Sequence, residues 1–256
     1  MHGGRGPYLL MVHGMLSSRR QWMRNIDALA EVVRPVVVEL WGHGRSPSPT
    51  ADRWYGIEAC VGQLERLRMK LGADRLLVCG QSFGATLTLR YAVRHPGRVI
   101  GQVFTNSVSA LSGPERFQVT DERRALIDAL ESGRKEVLED LPIHPSRARR
   151  LAPEIRAALV AAAGEADPRG IARLLGVTAP QASAASLLPE TRCPTLLVNG
   201  IREKAFQPFR ERVADLIPGC RVVDVDAGHA VNLEAAAAFN AAVIDFAGAL
   251  CAHDEG

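Results

Sequence analysis

Short apolar runs bounded by Gly or Pro recur along the chain: YLLMVHG from Tyr8, RPVVVEL from Arg34, RLLVCG from Arg75, RVIGQVFTN from Arg98, PTLLVNG from Pro194 and CRVVDVD from Cys220. Runs that stay apolar, without polar alternation, suit strands buried on both faces, the habit of a parallel sheet covered by helices. Helical spacing fills the stretches between them. Ile57, Cys60, Val61, Leu64, Leu67 and Leu71 recur at three- and four-residue steps, with charges on the other side. A second helix is predicted after Ser82, through Phe83, Leu87, Leu89, Tyr91 and Ala92 to RHPG, where Pro96 forbids continuation. A third, alanine-rich, is predicted from about Asn232 to Leu250. Strand and helix alternate, so the expected fold is α/β: a mostly parallel sheet of about six strands with helices on both faces.

One segment breaks the alternation. From about Ser109 to Pro189 the chain reads as short helices punctuated by Pro and Gly, with no convincing strand. The expected organisation is a core part from 1 to 108, a helical insertion from 109 to 189 and a second core part from 190 to 256. A separate helical domain is the alternative. Asp and Glu accompany the arginines of this segment at similar density, which reads as a solvated face; Arg147, Arg149 and Arg150 form the one local cluster worth testing.

Composition narrows the function classes. With 256 residues, 47% hydrophobic, 23% charged and a formal net charge of +3, the chain suits one globular domain and offers no polyanion-binding surface, so nucleic acid is not an expected partner. Its apolar runs fall far short of the ~20 residues of a membrane span. The N-terminus lacks the basic and apolar regions of a secretory signal, so the expectation is a cytoplasmic protein. Five dispersed cysteines without C-x-x-C spacing argue against a disulfide framework or zinc site and for reduced, mostly buried thiols. Metal-ligand clusters, nucleotide loops and cofactor lysines are not apparent, so no cofactor or metal is expected.

Candidate chemistry gathers at the carboxyl ends of the predicted strands, where open parallel sheets bind ligands. The stretch LVCGQSFGATL places Ser82 between Gly80 and Gly84, after an apolar run and before a helix. Serine is also a favoured helix N-cap, so Ser82 has two readings, nucleophile or cap. Other strand ends favour the first: in chain order they supply Ser82, Glu203 and His229. Serine needs a neighbouring base to take its proton as it attacks, and histidine titrates close to neutral pH. A carboxylate on the far ring nitrogen fixes the tautomer and stabilises the imidazolium. The helix opening at Phe83 points free N–H groups at the site, suited to a developing oxyanion.

With these motifs in place, the chain resembles α/β-hydrolase-fold proteins over nearly its whole length. MVHGMLSSRRQW resembles the oxyanion loop, ELWGHGRS the G-H-G-x-S turn, CGQSFGA the nucleophile elbow, CPTLLVNG the strand before the acid and AGHAVNLE the histidine loop. The resemblance implies Ser82 as nucleophile, His229 as general base, and the N–H groups of Met15 and Phe83 as oxyanion hole. It also implies that the insertion is a helical cap shaping a pocket for a small-molecule substrate. Two departures stand out. The acid position after LLVNG is usually aspartate, whereas GIRE offers Glu203; Asp226 is the competing candidate. The usual N-terminal β-hairpin is missing from GGRGPYLLMVHG, through real absence or a start codon chosen too late; real absence would leave a sheet edge that a second copy could cover in a homodimer.

Other residues carry lesser roles. His13 and His43 suit structural hydrogen bonding in their turns, and His13, Trp22, Trp41 and Phe206 are candidates for the pocket. Glu39 and Arg45 read as a buried polar brace. The expected activity is a serine hydrolase acting on an ester, thioester or lactone. A C–C bond hydrolase, lyase or cyclase using the same site, and a non-catalytic ligand-binding protein, remain the alternatives.

Overall fold

The computed structural model describes residues 4–254. Six strands form one sheet: β1 (Tyr8–Val12), β2 (Arg34–Val38), β3 (Leu76–Gly80), β4 (Val99–Thr105), β5 (Thr195–Gly200) and β6 (Arg221–Val225). Their order is β2-β1-β3-β4-β5-β6, and every pairing is parallel. The central strands β3, β4 and β5 are buried along their whole length, which is why their sequences show no polar alternation.

Successive residues point to opposite faces, so each strand feeds two cores. Leu10, Val12, Leu76 and Val78 pack with Val61 and Leu64 of the helix Ile57–Lys70 and with Leu87 and Tyr91 of the helix Phe83–Arg94. Leu9, Met11, Leu77, Cys79 and Val103 face the other way, onto Phe239, Val243 and Phe246 of the helix Ala236–Asp254. Burying each such side chain contributes roughly 1.5–3 kcal/mol. The third helix departs from the expected single run: Val231–Glu234 is a separate turn, broken from Ala236–Asp254 at Ala235. The break lets Asn232 bury its amide among polar partners while the later helix packs on the sheet.

From β1 the chain steps outward to β2, then returns to place β3 on the other side of β1. Loops leaving β1 and β3 therefore diverge and open a crevice at their carboxyl ends. Among the described residues no strand lies between β4 and β5; that stretch folds into the helices Asp121–Glu131, Pro153–Gly164 and Pro168–Arg173 with shorter turns. Close contacts fasten it to the sheet. A Cβ on Gly170 would stand 2.6 Å from Gly42 Cα, and the Asp167 N–H donates to Gly42 O at 2.9 Å, so two backbones meet where only glycine fits. Arg90, buried on the helix Phe83–Arg94, donates to the carbonyls of Gln181 and Ser183. No described helix is long and apolar enough to cross a membrane. The five cysteines form no disulfide.

Candidate active site

Ser82 stands directly beyond β3 with φ 53° and ψ −119°, a conformation that L side chains rarely adopt. Packing on both sides holds it there. A Cβ on Gly80 would stand 2.3 Å from Thr88 Oγ1 and 2.4 Å from Ala85 Cα, and one on Gly84 would stand 2.1 Å from Val12 O. The glycines thus let the helix start press against β3 and β1, and the residue between them absorbs strain of about 1–3 kcal/mol. The Ser107 hydroxyl donates to Ser82 O at 2.7 Å and fixes the turn from β4. Ser82 occupies the N-cap position, yet its hydroxyl caps nothing; Oγ lies 2.9 Å from His229 Nε2.

His229 follows β6, and its Nδ1 lies 2.9 Å from Glu203 Oε1. A carboxylate only accepts, so Nδ1 carries the proton and the Nε2 lone pair faces the Ser82 hydroxyl. Burial opposes protonation of this ring, but the Glu203 hydrogen bond and charge, with the Glu234 charge, outweigh it and raise its pKa above 6.5. Its side chain is 49% exposed, with both ring nitrogens engaged by Ser82 and Glu203. Glu234 clamps the loop, accepting from the Gly228 N–H at 2.6 Å and the Ala230 N–H at 3.3 Å.

Glu203 sits on the loop after β5, and Asn106 at the end of β4 anchors that loop's root. The Asn106 amide donates to Gly200 O at 2.9 Å and accepts from the Gly200 N–H at 2.8 Å. Gln207 Nε2 closes the loop from the other end, donating to Gly200 O and Glu203 O. The second Glu203 oxygen, Oε2, is buried and accepts no protein hydrogen bond, leaving the carboxylate charge directed at His229. Asp226 is committed elsewhere: both its oxygens accept from the Arg202 guanidinium.

The loop after β1 completes the crevice. A Cβ on Gly14 would stand 3.1 Å from Ser82 Cβ, so the absence of a side chain there brings this backbone onto the serine. Leu16 holds φ 54°, and its N–H donates to His43 Nε2 at 3.0 Å. His13 Nε2 accepts from the Leu40 N–H at 3.2 Å, while its Nδ1–H donates to Gly14 O at 2.7 Å. Burial pushes His13 down to about 4 and, with repulsion from His13, His43 down to about 3. Both rings are therefore neutral struts. A buried amide network ties this loop to the His229 loop. Ser17 donates to Gln21, Gln21 to Asn232 Oδ1, Asn25 to Asn240, and the Asn232 amide to Gln21 O and Asn25 Oδ1.

Over Ser82 and His229 lies a cavity of about 370 Å³, at the small end of small-molecule sites. Met15, Gln21 and Gln81 wall one side; Ile143, His144, Arg147 and Leu159 of the helical segment wall the other. A hydroxyl on an imidazole on a carboxylate, opening into such a cavity, is an arrangement in which the hydroxyl proton can pass to Nε2 as the oxygen attacks.

A sequence profile described as "Alpha/beta hydrolase family" matches residues 9–242. The chain belongs to this family. A Bacillus subtilis protein assigned as a 2-succinyl-6-hydroxy-2,4-cyclohexadiene-1-carboxylate synthase is 26% identical over 246 residues, covering 93% of this chain and 89% of that protein. Among solved structures, MenH from S. aureus superposes with a TM-score of 0.84 at 20% identity, covering 97% of both chains. The enol-lactonase from Burkholderia xenovorans LB400 gives 0.80 at 25% identity, covering 95% of this chain and 92% of that one.

In this α/β hydrolase, Ser82, His229 and Glu203 meet, Met15 borders the cavity and the Phe83 N–H opens the helix beside Ser82. Four expected pocket residues do not line it. His13 is fully buried beneath the loop, where its ring nitrogens are used by backbone. Trp22 is fully buried against Phe239 on the opposite face of the sheet, at 6.3 Å between ring centroids. Phe206 is fully buried beside Phe209. Trp41 lines a different, apolar cavity of about 180 Å³ with Leu87 and Leu174. The brace also changes partner: Glu39 pairs with the Arg19 guanidinium, and Arg45 contributes only its N–H. Gln21, Gln81, Ile143, His144 and Leu159 line the cavity without having been expected there; Gln81 lies inside the G-x-S-x-G stretch and Gln21 inside MVHGMLSSRRQW, and on the helical wall only Arg147 carried a signal, the arginine cluster.

Proposed function

We propose that the protein is a serine hydrolase that cleaves an ester, thioester or lactone of a small organic substrate through Ser82, His229 and Glu203. The observation that carries this reading is the pair of 2.9 Å contacts joining Oγ, the imidazole and the carboxylate. Ser82 Oγ attacks the carbonyl carbon as its proton passes to Nε2, and Glu203 stabilises the imidazolium. The N–H groups of Phe83 and Met15 receive the oxyanion; the Phe83 N–H is available because the first N–H groups of a helix have no intrahelical acceptor. His229 returns the proton to the leaving group, then takes one from a water that attacks the acyl-enzyme. The helical segment acts as a cap that confines the substrate and restricts water.

A panel of p-nitrophenyl esters and simple lactones tests the reading. Wild type should turn over at least one of them with an acyl-enzyme intermediate, and Ser82→Ala should lower kcat by roughly 10³-fold or more. Turnover that survives Ser82→Ala would sink it. A second reading, a C–C bond hydrolase or a lyase or cyclase at the same site, draws on the likeness over 93% of the chain to the Bacillus subtilis protein assigned as a synthase. It keeps His229 as proton acceptor but forms no acyl-enzyme. A ligand-binding protein without catalysis is the least supported reading, because every position the chemistry requires is filled.

A further inference from the structure

We propose that the substrate carries a carboxylate besides its scissile carbonyl, and that Arg147 recognises it; this rests on the hydrolase reading above. Arg147 lines the same cavity as Ser82 and His229, on the wall contributed by the helical segment. Its guanidinium is held only by backbone carbonyls, Nε to Leu141 O at 3.4 Å and one terminal nitrogen to Glu139 O and Asp140 O at 3.5 Å each. All three contacts are long. Among the described residues no carboxylate accepts from it, so its positive charge has no ion-pair partner, and Arg147 is an exposed residue of the cavity lining. The planar fork matches the two oxygens of a carboxylate.

The other charges support that assignment. Glu203 is the only carboxylate bordering the cavity among the described residues, and it is committed to His229. An anion would sit toward the helical wall, away from Glu203. Arg150 is placed differently: its Cδ lies 3.0 Å from where a Cβ on Gly228 would stand, and its charge bears on Asp226. Of the cluster Arg147, Arg149 and Arg150, only Arg147 borders the cavity. His144 beside it has its ring nitrogen tied to Ser146 Oγ at 2.8 Å and adds a polar edge to that wall.

The test compares p-nitrophenyl hydrogen adipate with its neutral isostere, methyl p-nitrophenyl adipate, and reads the ratio of their kcat/KM values. Wild type should favour the free acid. Arg147→Gln should lower the ratio roughly tenfold, chiefly through KM, as expected for one charge-assisted contact at a half-open site. Arg147→Lys, which keeps the charge and loses the fork, should retain part of the preference, and added salt should erode it in wild type. If Arg147 only ties down the turn at Leu141, both substrates suffer equally and the ratio stays put. A ratio within twofold of wild type in Arg147→Gln overturns the inference. Failure of the hydrolase reading looks different: neither adipate ester is turned over in a Ser82-dependent way.

Discussion

Asn232 offers a test of how the site is held together, because its side chain bridges the two loops that face each other across Ser82. Asn232→Ala deletes three side-chain hydrogen bonds: acceptance from Gln21 Nε2 at 2.9 Å and donation to Gln21 O at 2.6 Å and Asn25 Oδ1 at 3.0 Å. The residue is fully buried, so its partners lose their bonds without gaining bulk water. Each bond is worth about 1 kcal/mol net, and each stranded buried group costs about 1–3 kcal/mol. A water entering the vacated space would recover part of this. The expected loss is therefore about 3–5 kcal/mol, a large share of the roughly 5–15 kcal/mol that holds a domain folded. Urea unfolding followed by circular dichroism measures it, with an unchanged m-value identifying a change of stability. Asn25→Ala should cost less than additively in the double variant, since the two amides share bonds. A loss below about 1 kcal/mol for Asn232→Ala would refute the claim that this network braces the loops.

Three further outcomes are expected. On a p-nitrophenyl ester, Glu203→Gln should lower kcat by roughly 10²–10⁴-fold while Asp226→Asn stays near wild type; the reverse pattern would transfer the acid role to Asp226. His229 must be neutral to accept a proton, so kcat/KM should rise with pH through an inflection above 6.5, and Glu203→Gln should move that inflection down by removing the charge, and weakening the bond, that raise it. His13 and His43 are depressed to about 4 and about 3 in the fold, so below pH 6.5 the unfolded chain binds protons the native chain refuses. Stability should then fall with falling pH by about 1.4 kcal/mol per pH unit for each ring, and urea titrations at pH 7, 6 and 5 should show a flatter slope in His43→Gln.

Much of this molecule can be read from the chain because its parts are local. Each strand is an unbroken apolar run, and central strands buried on both faces require such runs, as in LLVCG and TLLVNG. Ser82, Glu203 and His229 were legible for a related reason. Each directly follows such a run or lies within a few residues of its end, and parallel strands bring those ends together on one side of the sheet.

Of the pocket wall only Arg147 was legible, through its arginine cluster. Ile143, Arg147 and Leu159 lie on short helices and turns whose cavity-facing side is chosen by distant contacts such as Gly170 on Gly42 and Arg90 on Gln181. Aromatics misled for the same reason. Trp22 is near the β1 loop in sequence, but its ring is buried against Phe239, and Phe206 sends its ring into the core while its N–H donates to Glu203 O. The Asn232 network gave no sequence signal, since Gln21 and Asn232 are more than two hundred residues apart.

Every proposal above depends on Ser82 being a nucleophile activated by His229. Intact-mass measurement after treatment with a fluorophosphonate probe tests it most directly. The expected result is one adduct per chain on the Ser82 peptide, absent in Ser82→Ala and slowed by orders of magnitude in His229→Gln. An unmodified wild-type chain, or an adduct that persists in Ser82→Ala, would contradict it.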